Sequence, residues 1–323
     1  VCMIYHADMY LCPGAIDSIE RYLKDKTIVS LTRIEPPLHP PGPEKIVRDC
    51  GIEPEEFDDF QLHAYLADTK EERKDKTTEG IFAPWAFWKK DFQEIGGHDP
   101  LFAPQSKEDS DIFNRFQLNG IEFIQTWEGC VYHMTCRGSR FADGAQRNPD
   151  GQVFMKGRET DEWMKQNVRS SRNFVRKWGH FVKHDEFLKP IIPPKYNIGI
   201  VLENGAPDLL KELEPWCTTI YSDVNDLEEY ISEEQPNTDF DLSKRVKDLF
   251  RPPKENDILV EIDGTKFTPN DFMYLQNIAE IIANDPQLAN ESLPATFQLG
   301  NLLICIIRQT NSEEELIICK EKQ

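Results

Sequence analysis

Val1-Cys2-Met3-Ile4-Tyr5-His6-Ala7-Asp8 decides how this chain reads. A run of strand character enters a loop that carries an imidazole and a carboxylate. A core strand that delivers an acidic residue at its C-terminal edge is how open α/β sheets build ligand and metal sites. The stretch therefore predicts a buried strand, an α/β fold and a polar site at the very start. It has no initiator Met and no charged lead-in, which predicts that an N-terminal portion is missing.

The chain has 323 residues, long enough for about two domains. A hydrophobic content of 39% and a charged content of 29% fit an ordinary globular protein. No run reaches the roughly 18 apolar residues of a membrane span. The net charge of −20 argues against nucleic-acid binding, which depends on neutralising phosphates with Lys and Arg. The eight cysteines are scattered, with no CxxC pair, and several lie in apolar runs. Reduced thiols and a cytoplasmic location are the expectation. Cys130, His133 and Cys136 match no common zinc-finger spacing.

Along the chain, strand and helix patterns alternate. A helix is expected over 14–23 and a strand over 27–34, followed by the proline-rich stretch Pro36–Pro43, which cannot be regular structure. The aromatic run Ile81–Trp88 precedes a short helix stopped by Gly96-Gly97. A helix over 107–118 closes at Asn119-Gly120 in the manner of a C-cap. Residues 157–188 read as helix, and Pro190, Pro193 and Pro194 as a linker. The texture then resets. Strands are expected at 196–202, 217–221, 257–262, 300–307 and 315–319, helices at 206–214, 226–232 and 269–283, and a surface loop over 233–256. This pattern predicts mixed sheets covered by helices, with the units 1–156, 157–194 and 195–323. Asn204-Gly205 after a strand faintly suggests a nucleotide-binding turn, without a full glycine fingerprint.

Three clusters carry chemistry. They are His6-Ala7-Asp8, the acids Glu108 and Asp109 at a helix start, and His133 after a strand. Asp8 and His133 offer a carboxylate and an imidazole to one divalent cation. Acids in a first helical turn also serve the helix dipole alone. Arg137 and Arg140 are equally suited to offsetting a pyrophosphate and to a solvated loop. Trp85, Phe87 and Trp88 are suited to stacking on a sugar or to packing inward, and the second reading is favoured for at least two of them.

In order and context the set resembles the family 2 glycosyltransferases. His6-Ala7-Asp8 resembles their DxD-type motif, with His in the first acidic position. Ile81–Trp85 through Gly96-Gly97-His98-Asp99 resembles the acceptor-side stretch with its glycine turn. Lys107-Glu108-Asp109 resembles the acidic pair that follows, Val131-Tyr132-His133 the later metal histidine, and Lys177-Trp178-Gly179 a motif found after the core. The resemblance implies a partial GT-A-type, Rossmann-like mixed sheet flanked by helices, with an extra smaller α/β domain. It implies an inverting, metal-dependent transferase moving a sugar from a nucleotide-diphosphate donor to the hydroxyl of a carbohydrate or other acceptor. Asp109 would be the base and Glu108 its neighbour. Asp8 and His133 would hold Mn²⁺ or Mg²⁺. His6, Arg137 and Arg140 would face the donor, and Trp85, Trp88, Gly97 and His98 the acceptor. The family's nucleoside-binding strands precede its motif, and here none do. The alternatives are a non-catalytic carbohydrate-binding or assembly module that keeps the fold, and a phosphoesterase using Asp8, Asp109 and His133. Assembly as a homo-oligomer is left open.

Overall fold

The structure is a computed structural model that describes residues 1–135, 146–154, 159–250, 255–285 and 293–319. It is a mixed α/β molecule with two large mixed sheets, each flanked by helices.

The first sheet contains β1 (Cys2–Ile4), β2 (Met9–Leu11), β3 (Thr27–Glu35), β4 (Lys45–Val47), β5 (Thr77–Thr78), β6 (Trp85–Phe87) and β7 (Glu122–His133). Its helices are α1 (Ala15–Tyr22), α2 (Asp59–Asp68), α3 (Lys70–Arg73), α4 (Lys89–Glu94) and α5 (Glu108–Leu118). The strand order is β1-β6-β3-β7-β2, with β4 beside β3 and β5 beside β7. β3 runs parallel to β7 and is buried along all nine residues, as suits a strand between two neighbours. The opening strand is a different matter. Among the described residues β1 pairs with β6 alone and is half exposed, so it is an edge strand and not the buried one its sequence predicts. Ile28, Val29, Trp85, Phe87, Ile112 and Phe116 form the main core of this part.

A short β8 (Gln146–Arg147) and β9 (Val153–Phe154) ladder precedes the long helix α6 (Asp161–Trp178). Helix was expected over 157–188. Instead α6 stops where Gly179 takes a left-handed φ of 81°, and the chain to Pro190 is irregular. The second sheet holds β10 (Ile198–Glu203), β11 (Thr219–Ser222), β12 (Val246–Asp248), β13 (Ile258–Asp263), β14 (Ala295–Leu299) and β15 (Leu302–Ile306). Helices α7 (Pro207–Leu213), α8 (Leu227–Glu234), α9 (Leu242–Arg245), α10 (Pro269–Gln276) and α11 (Ile278–Asn284) accompany it. Its order is β12-β11-β10-β13-β15-β14, the first four parallel.

Two further expectations fail here. The supposed surface loop over 233–256 contains α9 and β12, because Leu242 and Val246 turn into the core. Residues 315–319 form no strand. They follow a 3-10 turn at Glu313–Leu316 and return to the first half, where the Cys319 amide donates to the Ile95 carbonyl at 3.1 Å. The turn after β10 has its donors filled from within: Asp223 accepts from the amides of Asn204 (2.8 Å) and Gly205 (3.1 Å).

Candidate metal centre and flanking acids

The loop from β1 to β2 is closed by a hydrogen bond from the Met9 amide to the His6 carbonyl, and pinned by one from the Met134 amide to the Asp8 carbonyl. β2 lies antiparallel to β7 with Met9 opposite His133. The register therefore carries His6 and Asp8 to the end of β7. Ligand atoms of His6, Asp8 and His133 all lie within 4.8 Å of one another, the arrangement a single cation needs. His133 Nε2 is 3.5 Å from Asp8 Oδ1. The convergence of Asp8 and His133 was expected. His6 as a third member of the same set was not, having been assigned to the donor.

Behind the triad stands a residue the sequence reading missed. Glu35 ends β3, the parallel neighbour of β7, and its Oε1 is 2.8 Å from His133 Nδ1. A carboxylate behind a ligating imidazole fixes ring orientation and strengthens the ligand. Glu35 is only 2% exposed and accepts from Arg33 Nη1 (2.8 Å) and Lys45 Nζ (3.1 Å). The signal for it was the i, i+2 pair Arg33 and Glu35, which must share one face of a strand. The Arg33 guanidinium also lies 3.9 Å over the Phe82 ring, whose edge meets His6.

Charge in this cluster is held by neighbours. Burial opposes ionisation of Glu35, but His133 and Arg33 outweigh it and bring its carboxyl down to about 2. Burial also disfavours charge on His133, yet hydrogen bonds to Asp8 and Glu35 leave it more basic than an ordinary histidine. Asp8 is likewise a stronger acid than usual, because His133 overcomes its desolvation. Burial and the nearby His133 hold His6 below the ordinary value and so keep it neutral. Two imidazoles and one carboxylate could hold a divalent cation, and their chemistry suits Zn²⁺ as well as Mn²⁺.

The acid pair begins α5 after Ser106 and Lys107, both with positive φ. Glu108 lines a cavity of about 280 Å³ with His98, Asp99, Phe102 and Pro104. Burial makes it a weaker acid, partly offset by a hydrogen bond to its own backbone amide. Asp109 lines a different cavity, of about 200 Å³, with Phe82, Phe113, Val182 and His184. Burial pushes its carboxyl up to about 6. Phe82 is thus shared between the triad and the Asp109 cavity. His184, from the irregular segment after α6, completes a wall that the sequence reading did not foresee.

The remaining expected contacts divide. Trp85 is fully buried, packed against Phe87, Phe113 and Phe116, and has no face for a sugar. Trp88 is 36% exposed, but its indole donates to the Lys24 carbonyl and its ring lines a cavity with Val1, Cys2 and Ile16 beside the β1 edge. Gly97 is buried; its amide donates to Phe92 and its carbonyl accepts from Arg115, so its backbone serves the turn and not an acceptor. His98 does line the Glu108 cavity. Arg137 and Arg140 lie outside the described residues.

Lys177-Trp178-Gly179 has a clear mechanical role. Lys177 Nζ bridges Asp99 (2.7 Å) and Asp111 (2.6 Å), and the Trp178 indole donates to Asp111 at 2.9 Å. Arg115 holds the other oxygen of Asp111 and the carbonyls of Ile95 and Gly97. The end of α6, the start of α5 and the glycine turn are thereby fixed to one another. Compared with known proteins, the chain matches no family model and no curated protein.

Proposed function

We propose that this chain carries the catalytic site of an inverting, metal-dependent glycosyltransferase of the family 2 type, built on a GT-A-like sheet. The observation that supports the reading is the meeting of His6, Asp8 and His133 at one sheet edge, with two acids of raised pKa at the start of α5 nearby. Asp8, His133 and His6 would hold Mn²⁺ or Mg²⁺, which supplies charge neutralisation to a leaving nucleoside diphosphate. Glu35 orients His133 and keeps its Nε2 turned toward Asp8.

Asp109 takes the proton of the acceptor hydroxyl. The acceptor oxygen bonds to the anomeric carbon as the bond to the diphosphate oxygen breaks, which inverts that centre. A carboxyl near pH 6 is still largely ionised at neutrality and is a stronger base than an ordinary aspartate. Burial is the cause of that shift.

The test is titration with a nucleoside diphosphate with and without Mn²⁺, followed by transfer assays on Asp109→Asn. Binding that requires Mn²⁺ and is lost in Asp8→Asn supports the reading. Metal-independent binding, or none, favours the carbohydrate-binding module. Full transfer activity in Asp109→Asn removes the assignment of the base.

A further inference from the structure

The Asp109 cavity has a wall that the first sheet and its helices do not supply. Val182, Lys183, His184, Leu188 and Pro190 line it, all from the irregular segment between α6 and β10. That segment folds on itself. The Ile191 amide donates to the Lys183 carbonyl and the Asp185 amide to the Lys189 carbonyl, each at 3.0 Å, and His184 and Pro190 form an antiparallel bridge. Asp185 Oδ1 accepts from the amides of Phe187 (2.8 Å) and Lys189 (3.0 Å). Residues 183–191 are therefore one small flap, held together from within and able to shift as a unit. The flap lies against the first unit where Gly80 leaves room for it: a Cβ there would come within 2.6 Å of the Phe187 carbonyl oxygen.

The flap is fastened on two sides. Toward the first unit, the Pro190 carbonyl accepts from Gln117 Nε2 at 3.1 Å and Lys189 pairs with Glu79. Toward the second unit, Lys183 Nζ donates to Asn277 Oδ1 at 3.1 Å and pairs with Glu280 on α11. Phe181, just before the flap, meets the Trp216 ring edge-on at 4.8 Å. Lys183 thus lines the Asp109 cavity and grips the second unit at once. Its side chain is 27% exposed and that of Glu280 32%, so salt screens the pair and its contribution is small. A fastening of that strength holds the flap down without sealing it. Asp109 is half-buried and has no hydrogen-bond or ion-pair partner among the described residues, so its carboxylate is free to meet whatever the flap admits.

We propose that the 183–191 flap is a gate on the Asp109 cavity and that the second α/β unit is its latch, with Lys183 as the positioning residue that Glu280 and Asn277 hold. The claim that an acceptor passes this gate rests on the transferase reading; the gate itself does not. The second unit then has a task, which is to set how often Asp109 can be reached.

Asp109→Cys puts a thiol in the cavity, and its alkylation by iodoacetamide, followed by peptide mass spectrometry, reads how often the gate opens. Opening admits the reagent and lets the thiol ionise, and both raise the rate. Adding Lys183→Met or Glu280→Gln should speed alkylation at position 109 by about two- to fivefold, the range a half-exposed ion pair supports. Raising NaCl from about 0.02 M to about 0.5 M should speed it in the Asp109→Cys chain but not once Lys183→Met is added. Cys2 on β1 is the reference thiol and should react at one rate throughout. Lys266→Met, which breaks another exposed pair of the second unit with Asp263, should change nothing. Equal rates at position 109 with and without the two latch variants overturn the proposal. So does a rise that Cys2 shares or that Lys266→Met reproduces. The assay needs neither cation nor nucleotide. Failure of Mn²⁺-dependent nucleotide binding would therefore sink the transferase reading and leave the gate standing, whereas equal alkylation rates would remove the gate and leave that reading untouched.

Discussion

Glu35→Gln is the most direct test of the metal centre, because it alters no proposed ligand. In the native chain one Glu35 oxygen is 2.8 Å from both His133 Nδ1 and Arg33 Nη1, and the other is 3.1 Å from Lys45 Nζ. The amide keeps the shape but loses the charge, and it can no longer accept at both ends. His133 then loses its orienting partner, for which the expected cost is about 10- to 100-fold in metal affinity. The fold suffers as well. Breaking a buried pair costs about 3–5 kcal/mol, and the lower end applies here because Glu44 lies 3.6 Å from Arg33 and retains some compensation. Metal-free protein should be titrated with Mn²⁺ by calorimetry at fixed pH, with the melting temperature read in parallel. The expected result is weaker Mn²⁺ binding in a folded variant that melts several degrees lower. A folded Glu35→Gln chain with native Mn²⁺ affinity would refute the role given to Glu35. A native chain that binds neither Mn²⁺ nor Zn²⁺ would refute the centre itself.

Transfer by the native chain should fall as pH drops through about 6, because protonated Asp109 cannot accept a proton; a pH–rate profile flat to pH 4.5 would contradict this. The same raised pKa means that ionising Asp109 costs fold stability, a cost that accumulates from its ordinary 3.8 up to about 6 and stays constant above. Asp109→Asn should therefore be inactive yet more stable at pH 7 by up to about 2–3 kcal/mol, measured by urea unfolding; a loss of stability would contradict the burial argument. Glu214 is fully buried between Arg176 (2.7 Å) and Arg245 (2.7 Å), and its carboxyl is held at about 2 although burial alone would raise it. Its contribution is complete above its ordinary 4.5 and is lost as pH falls toward about 2, so Glu214→Gln should flatten acid unfolding in that window and cost about 3–5 kcal/mol at pH 7. Lys177→Met should lower the melting temperature by freeing Asp111 and Asp99, and limited proteolysis should then cut near the Gly-Gly turn sooner than in the native chain.

Much of the α/β pattern could be read locally, because alternating strand and helix signals depend on residues close in sequence. The helix start at Glu108, the Gly-Gly stop and the run of β10 were visible for that reason. What failed depended on neighbours. Cys2–Ile4 is apolar enough for a core strand, but burial is set by how many strands flank it, and β1 has only β6. Trp85 looked like a sugar platform until Phe113 and Phe116 of α5 closed over it. Asp8 and His133 were paired on ligand chemistry as well as family likeness, while His6 joined them because the β2–β7 register brings the whole loop across. Glu35 escaped notice since its meaning lies in a strand nearly a hundred residues away.

The seam between the two α/β units follows from the same logic. Arg172 and Arg176 of α6 meet Glu214 and Glu234, and Arg245 reaches the same Glu214 from α9. Burying so many charges gains little net stability over apolar packing, since desolvation cancels most of the attraction. It does penalise misplacement, because a small shift leaves an unpaired charge in the interior. α6 carries Lys177 and Trp178 immediately after Arg176, where they grip Asp99 and Asp111 at the Gly-Gly turn and the start of α5. One helix thus fixes the second unit relative to the acids of α5. Arg176→Met should therefore cost about 3–5 kcal/mol in urea unfolding, because it strands Glu214 and Glu234 without one of their buried partners. A variant as stable as the native chain would refute a seam held together by these charges.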